Sequence, residues 1–261
     1  MKHPNDSYYL VEIQYLGFRF HGWQSQPGVK TVQGMVERTL NYILPDRKLK
    51  VIGMSRTDAM VSANYAAFQL IARENIDEQW FLSEFQKNLP ADIRVISIKS
   101  VDATFNIIQQ PKIKEYNYLF SFGEKYHPFC APFMAHFHQA LDVAQMQEAA
   151  KSFEGQHDFS GFCERSNAQQ STVREVTQCQ LSVNDEFTAS FFPKESYKLV
   201  IKSSGFLRYQ IRYIMGAIVD VGQGALSVND IREVLSNGAE KAIVGKAPAS
   251  GLVLQQVSFI D

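Results

Sequence analysis

The period of apolar and polar positions changes several times along the chain, and each change marks an element. In "YYLVEIQY" (Tyr8–Tyr15) the residues alternate in a β-forming composition, which predicts a strand. "LGFRFHGWQSQPGVK" carries glycines and a proline and predicts a long loop. In "TVQGMVERTLNYIL", Val32, Met35, Val36, Leu40 and Ile43 recur at helical spacing behind Thr31, a good N-cap residue. Lys50–Met54 predicts a short strand and Tyr65–Ala72 another. "IDEQWFLSEFQKNLP" predicts a helix between a capping Asp77 and a terminating Pro90, and Ile93–Val101 a strand. The order β-α-β-β-α-β is that of a ferredoxin-like split unit.

Asn106–Lys112 is polar, and beyond it the patterns resume. "IKEYNYLFSF" (Ile113–Phe122) predicts a strand and "VAQMQEAAKSF" a helix, after a loop with Pro128 and Pro132. "STVREVTQCQLSV" and Ser196–Ser204 predict strands, with "NDEFTASFFPKE" as their hairpin connection. Leu207, Ile211, Ile214, Met215, Ile218 and Val221 form one stripe, predicting an amphipathic helix over 207–222 closed by glycine. "VNDIREVLSNG" predicts another helix and "GLVLQQVSF" a last strand. The second half repeats the first with insertions. We therefore expect an α+β protein with an N-terminal lobe at 1–105 and a C-terminal lobe at 106–261.

Composition narrows the class. The 261 residues are 45% hydrophobic and 20% charged, which is globular rather than disordered. No run approaches the roughly 18 apolar residues of a membrane span, and the N-terminus lacks a signal-peptide pattern, so no membrane partner is expected. Three cysteines, Cys130, Cys163 and Cys179, lack C-x-x-C spacing, which points to reduced thiols in a cytoplasmic protein. The net charge of −1 argues against a uniformly basic coat. It leaves room for a local basic face built from clusters such as Lys112 with Lys114, or Lys202, Arg208 and Arg212. Any one such cluster, alone, reads as an ordinary solvated surface.

The candidate chemistry centres on "GMSRTDAMVSA". Asp58 follows a short strand with Arg56 close in sequence. An ionised carboxylate beside a cation is what a carboxylate nucleophile needs. The plain alternative is that Thr57 or Asp58 caps a short helix at "AMVSAN". Arg208 and Arg212, four apart with Tyr209 on the same helix face, can reach a carboxylate, or can simply meet water or phosphate. Tyr116 and Tyr118 alternate onto one side of a strand; an aromatic face can stack an extruded base, though Tyr118 reads as core. Lys114 can meet phosphate, and His21 stands in a glycine-bearing loop within reach of a substrate. His136 and His138 form H-x-H without a third ligand of convincing spacing, so no metal is expected. No G-x-x-x-x-G-K-[ST] occurs, so no nucleotide cofactor is expected either.

Taken together, these stretches resemble the bacterial tRNA pseudouridine synthase A family. "YLGFRFHGWQSQPGVKTVQGMVERTL" resembles its Y-x-G-x-x-F-x-G-W-Q-x-Q…T-V-Q opening, and "SRTDAMVSA" its G-R-T-D-x-G-V-x-A box. "KEYNYLF", "FEGQHDFSGFC" with "STVREV", "SGFLRYQIRYIMGAIVDVGQG" and "APASGLVLQQVSF" resemble its later motifs, in order, over nearly the whole chain. Leu16, Ser55, Met60, Ser62 and Thr104 depart from the pattern, which has aspartate, glycine, glycine, histidine and arginine there.

The resemblance implies two lobes whose antiparallel sheets join into one, with helices on one face, a central cleft and a homodimer. It implies conversion of uridine to pseudouridine in the anticodon arm of tRNA, without cofactor or metal. By position it makes Asp58 the nucleophile, Arg212 its partner and Tyr116 the base-stacking residue. Arg56, Arg208, Lys114, His21 and Gln24 become candidates for binding substrate. The reaction breaks C1′–N1, turns the uracil and joins C1′ to C5. Asp58 can attack C1′, or can start an elimination through the sugar. Other readings are a non-catalytic RNA-binding paralogue and a synthase acting on another RNA or site.

Overall fold

The computed structural model describes residues 5–165, 169 and 171–260. These divide into two compact units, one of residues up to Lys112 together with Leu254 onward, the other Ile113–Val253. Among the described residues are five α-helices and ten strands in a mostly antiparallel sheet. The fold is α+β, and none of these helices is long and apolar enough to cross a membrane.

The first unit contains β1 (Asp6–Tyr15), α1 (Val32–Ile43), β2 (Leu49–Gly53), β3 (Ser62–Arg73), α2 (Glu78–Asn88) and β4 (Ile93–Ser100). This is the predicted β-α-β-β-α-β order. Strand β1 lies between β3 and β4, with Glu12 opposite both Ala67 and Ser97, and β2 pairs with β3. Both helices begin where their caps predict. Thr31 Oγ1 accepts from the Gly34 amide at 3.2 Å and Asp77 from the Trp80 amide at 2.8 Å. The helices press Val36, Leu40, Phe81 and Phe85 onto the sheet, where they are buried with Leu10, Ile13 and Phe68. Phe85 meets Phe81 at 4.9 Å and Phe68 at 6.4 Å, a ring network in the core.

The second unit contains β5 (Lys112–Phe122) from Ile113 on, β6 (Ala135–Phe137), α3 (Val143–Lys151), β7 (Gly155–Asp158), β8 (Val173–Val183), β9 (Tyr197–Ser203), α4 (Gln210–Gly222) and α5 (Val228–Asn237). Its strands run β5-β9-β8-β7, with β6 parallel to β5. The connection between β8 and β9 is a hairpin, closed by the Asn184 amide on Ser196 O at 2.8 Å. Helices α3 and α4 bury Met146, Ile214, Met215 and Ile218, while Phe153, Phe159 and Phe162 fill the space beside them. The chain ends in β10 (Leu252–Phe259), which starts in the second unit and finishes in the first.

Three expectations need correction. "AMVSAN" forms no helix: Ala59 and Met60 make a turn, and β3 starts at Ser62, three residues ahead of its predicted start. The predicted helix over 207–222 begins only at Gln210, because Tyr209 is left-handed at φ 59° and cannot continue a right-handed helix backward. Arg208 and Arg212 are therefore not helical i,i+4 neighbours. Finally, β6 and β7 lie in stretches without a predicted strand; at three and four residues they are too short for a period to register.

Candidate active site

Asp58 stands on the turn between β2 and β3, and its backbone is fastened to the preceding loop at residues 16–31. The Trp23 amide donates to Thr57 O at 3.2 Å, the Met60 amide to Phe20 O at 2.9 Å, and the Val61 amide to Asp58 O at 3.2 Å. Tyr15 and Thr57 share a hydroxyl–hydroxyl hydrogen bond of 2.8 Å. Phe20 and Trp23 are buried anchors, so the "FRFHGWQ" stretch grips the core and the aspartate turn together. Gly22 makes this possible. It sits at φ 85°, and a Cβ there would stand 2.5 Å from Thr57 O. The loop and the "SRTDAM" turn are thus one construction.

The departing residues fit this construction in particular ways. Ser62 Oγ accepts from the Gly17 amide at 2.9 Å, tying the start of β3 to the loop. Met60 occupies φ 67°, a left-handed conformation that favours glycine. Thr104 bonds Asp102 through both its amide, at 2.8 Å, and its hydroxyl, at 2.7 Å, so it completes a local turn.

The other first-unit candidates gather around the same loop. His21 is exposed, and its amide donates to Lys30 O at 2.8 Å. Gln24 donates to Gln33 Oε1 at 3.0 Å, linking the loop to α1. Arg56 is exposed on the aspartate turn.

In the second unit, Tyr116 lies on β5 opposite Ile201, with Lys114 two residues before it on the same face. Tyr116 is largely buried, and its ring stands edge-on to Phe206 at 5.5 Å. Tyr118 is fully buried and donates to Pro248 O at 2.7 Å, the core role expected of it. Burial pushes its phenol well above the ordinary range, with the nearby positive charge of Arg212 acting in the opposite direction.

Arg212, in the first turn of α4, is held by the segment 245–247. Its Nε donates to Ala247 O at 2.8 Å, while the Ala247 amide donates to Arg212 O at 3.0 Å. Gly216 lets that segment approach, since a Cβ would fall 2.0 Å from Gly245 O. Arg208 pairs with Glu164 at 3.1 Å, and Lys246 meets the same carboxylate at 3.4 Å. Tyr209 lies among these cations. Glu164 and Lys246 lie outside the motifs quoted above and Tyr209 lies inside one, and only the folded chain brings the three together.

Among the described residues, no group of three or more His, Cys, Asp and Glu is placed to hold a metal. In the H-x-H pair, His136 shares a hydrogen bond with Ser121 at 3.2 Å, and its ring packs against His138 and Tyr126. Cys130, Cys163 and Cys179 are unpaired and buried, and burial raises all three thiols.

A family model described as tRNA pseudouridine synthase matches residues 12–108 and 149–259, most of the chain. The chain belongs to the tRNA pseudouridine synthase family. The tRNA pseudouridine synthase A of Oenococcus oeni is 34% identical over 254 residues, covering 96% of this chain and 97% of that protein. That of Shouchella clausii is 32% identical over 249 residues, covering 95% and 92%. The tRNA pseudouridine synthase A 2 of Bacillus thuringiensis subsp. konkukian is 31% identical over 252 residues, covering 96% and 99%. This synthase family is one of isomerases. Its matched stretches contain Asp58, Arg56, His21, Gln24, Arg208 and Arg212, whereas Lys114 and Tyr116 fall between them.

Proposed function

We propose that this member of the family isomerises uridine to pseudouridine in the anticodon arm of tRNA, with Asp58 as the nucleophile. The observation that carries the reading is the aspartate turn, whose backbone is held at Thr57, Asp58 and Met60. A carboxylate on a fixed backbone keeps its aim while a bulky polyanion docks, which is the preorganisation such chemistry needs. In this reading Arg212 supplies the cation that keeps Asp58 ionised, and Tyr116 stacks on the extruded base.

The chemistry balances without an added reactant. C1′–N1 breaks, the uracil turns, C1′–C5 forms, and the proton lost from C5 is replaced by one gained at N1. Asp58 acts on the sugar, either at C1′ or by starting an elimination. Arg56, Arg208, Lys114, His21 and Gln24 bind the RNA around the target. The resemblance also supports a homodimer acting in the cytoplasm.

The test is a chemical map of pseudouridine in unmodified tRNA after incubation with the protein. New pseudouridine in the anticodon arm is expected. Asp58→Asn is expected to abolish it while leaving tRNA affinity within about threefold, because the carboxylate acts on the reacting sugar more than on binding. Pseudouridine elsewhere would move the substrate to another site or RNA. Binding with no new pseudouridine on any RNA would favour a non-catalytic RNA-binding protein.

A further inference from the structure

Tyr209 combines two features that local sequence preferences would not produce. Its backbone is left-handed at φ 59°, immediately ahead of α4. Three cations from two segments also lie over its ring: Lys246 at 4.1 Å, Arg208 at 4.8 Å and Arg212 at 5.5 Å from the centroid.

The strained conformation is held from both sides. The Leu207 amide donates to Gln210 Oε1 at 2.8 Å, the Gln210 amide to Leu207 O at 3.2 Å, and the Tyr213 amide to Tyr209 O at 3.0 Å. A left-handed tyrosine persists only where its surroundings over-determine it. The consequence is an abrupt change of chain direction that brings the phenol ring beside the first turn of α4, where Arg212 stands.

Charge explains why a ring is useful there. Glu164 pairs with Arg208 and with Lys246, so one carboxylate serves two of the three cations. Like charges crowded together repel, and the hydrogen bond from Arg212 Nε to Ala247 O anchors one of the guanidinium's three nitrogens. The negative face of an aromatic ring attracts cations without adding a formal charge. It can therefore hold Arg212 next to Lys246 while leaving the guanidinium's charge undiminished for an acidic partner. An added carboxylate would have cancelled that charge.

We infer that Tyr209 is a positioning residue: its ring, shared with Lys246, sets the guanidinium of Arg212 in the orientation that the isomerisation uses. The inference rests on the proposed role of Arg212, and its test separates the two. Single-turnover pseudouridine formation and tRNA binding are measured for wild type, Tyr209→Phe and Tyr209→Leu. The Nε–Hε signal of Arg212 is followed by NMR, assigned by its loss in Arg212→Lys.

Removing the ring in Tyr209→Leu should slow the chemical step by roughly tenfold, from the loss of a cation–π contact, while tRNA affinity stays within about twofold. Tyr209→Phe, which keeps the ring, should restore the rate to within about twofold of wild type. The Arg212 signal should shift in Tyr209→Leu and stay in place in Tyr209→Phe. If Tyr209→Leu reacts at the wild-type rate, or its Arg212 signal does not move, the inference is overturned. The NMR signal does not depend on activity, so it tests the positioning even if wild type makes no pseudouridine, an outcome that would instead remove the functional reading.

Discussion

Met60 shows how one residue can carry a cost beside a candidate nucleophile. At φ 67° its Cβ crowds the backbone in a way that glycine avoids, and the pattern this stretch resembles has glycine there. The conformation survives because the Met60 amide is tied to Phe20 O at 2.9 Å, and the Val61 amide to Asp58 O at 3.2 Å. Met60→Gly should therefore stabilise the protein by about 1 kcal/mol and raise its thermal midpoint by roughly 2–4 °C. A lower midpoint in calorimetry would mean that the methionine side chain contributes more by packing than its backbone loses to strain. Asp58 stands out as a candidate in the sequence only through the assembled motifs, because R-T-D alone is a weak signal. Tyr209 was not legible as a left-handed residue, since that conformation is imposed by Gln210 and the segments around it.

Elements were read from the sequence where their signals were local. Helices α1 and α2 were found because Thr31 and Asp77 cap them and an apolar stripe follows within one segment. Strands β6 and β7 were missed because pairing with β5 and β8 makes them strands, and such pairing leaves no mark in three or four residues. At the end of β7, Asp158 caps a short 3-10 turn, Phe159–Phe162, and accepts from the Ser160 amide at 2.9 Å and from Thr172 Oγ1 at 2.6 Å. Burial works to raise its pKa, but hydrogen bonds from Thr172 and Ser160 outweigh it and hold the carboxyl below its usual 3.8. A depressed folded-state value means that the stabilisation is complete above 3.8 and is lost as the pH falls through the lower folded value. Asp158→Asn should thus cost stability near neutrality, and the gap to wild type should narrow as the pH falls below about 4. Denaturant melts at several pH values measure that gap; one that stays constant down to pH of about 2 would mean that the ionised carboxylate is not what holds the turn.

At the scale of the whole molecule, charge is the feature that a binding reading must answer. The chain has 26 basic and 27 acidic residues, so no overall field draws it to a polyanion. What it has is local clustering. Around Tyr209 the cations Arg208, Arg212 and Lys246 gather at one ring, and two of them, Arg208 and Lys246, share the carboxylate of Glu164. If such clusters bind tRNA, affinity must come from a few phosphate contacts that release counterions, and it must fall as salt rises even though the protein is nearly neutral. The logarithm of the tRNA association constant should therefore decline linearly with the logarithm of salt concentration. Arg208→Ala should weaken binding to all tRNAs alike and make that slope shallower by about one. Arg208 is suited to this comparison because its exposed guanidinium is shared with Glu164, so the variant removes a surface cation and leaves the core of α4 in place. A slope near zero in the wild type would show that phosphate contacts do not drive binding. An unchanged slope in the variant would place those contacts elsewhere on the surface.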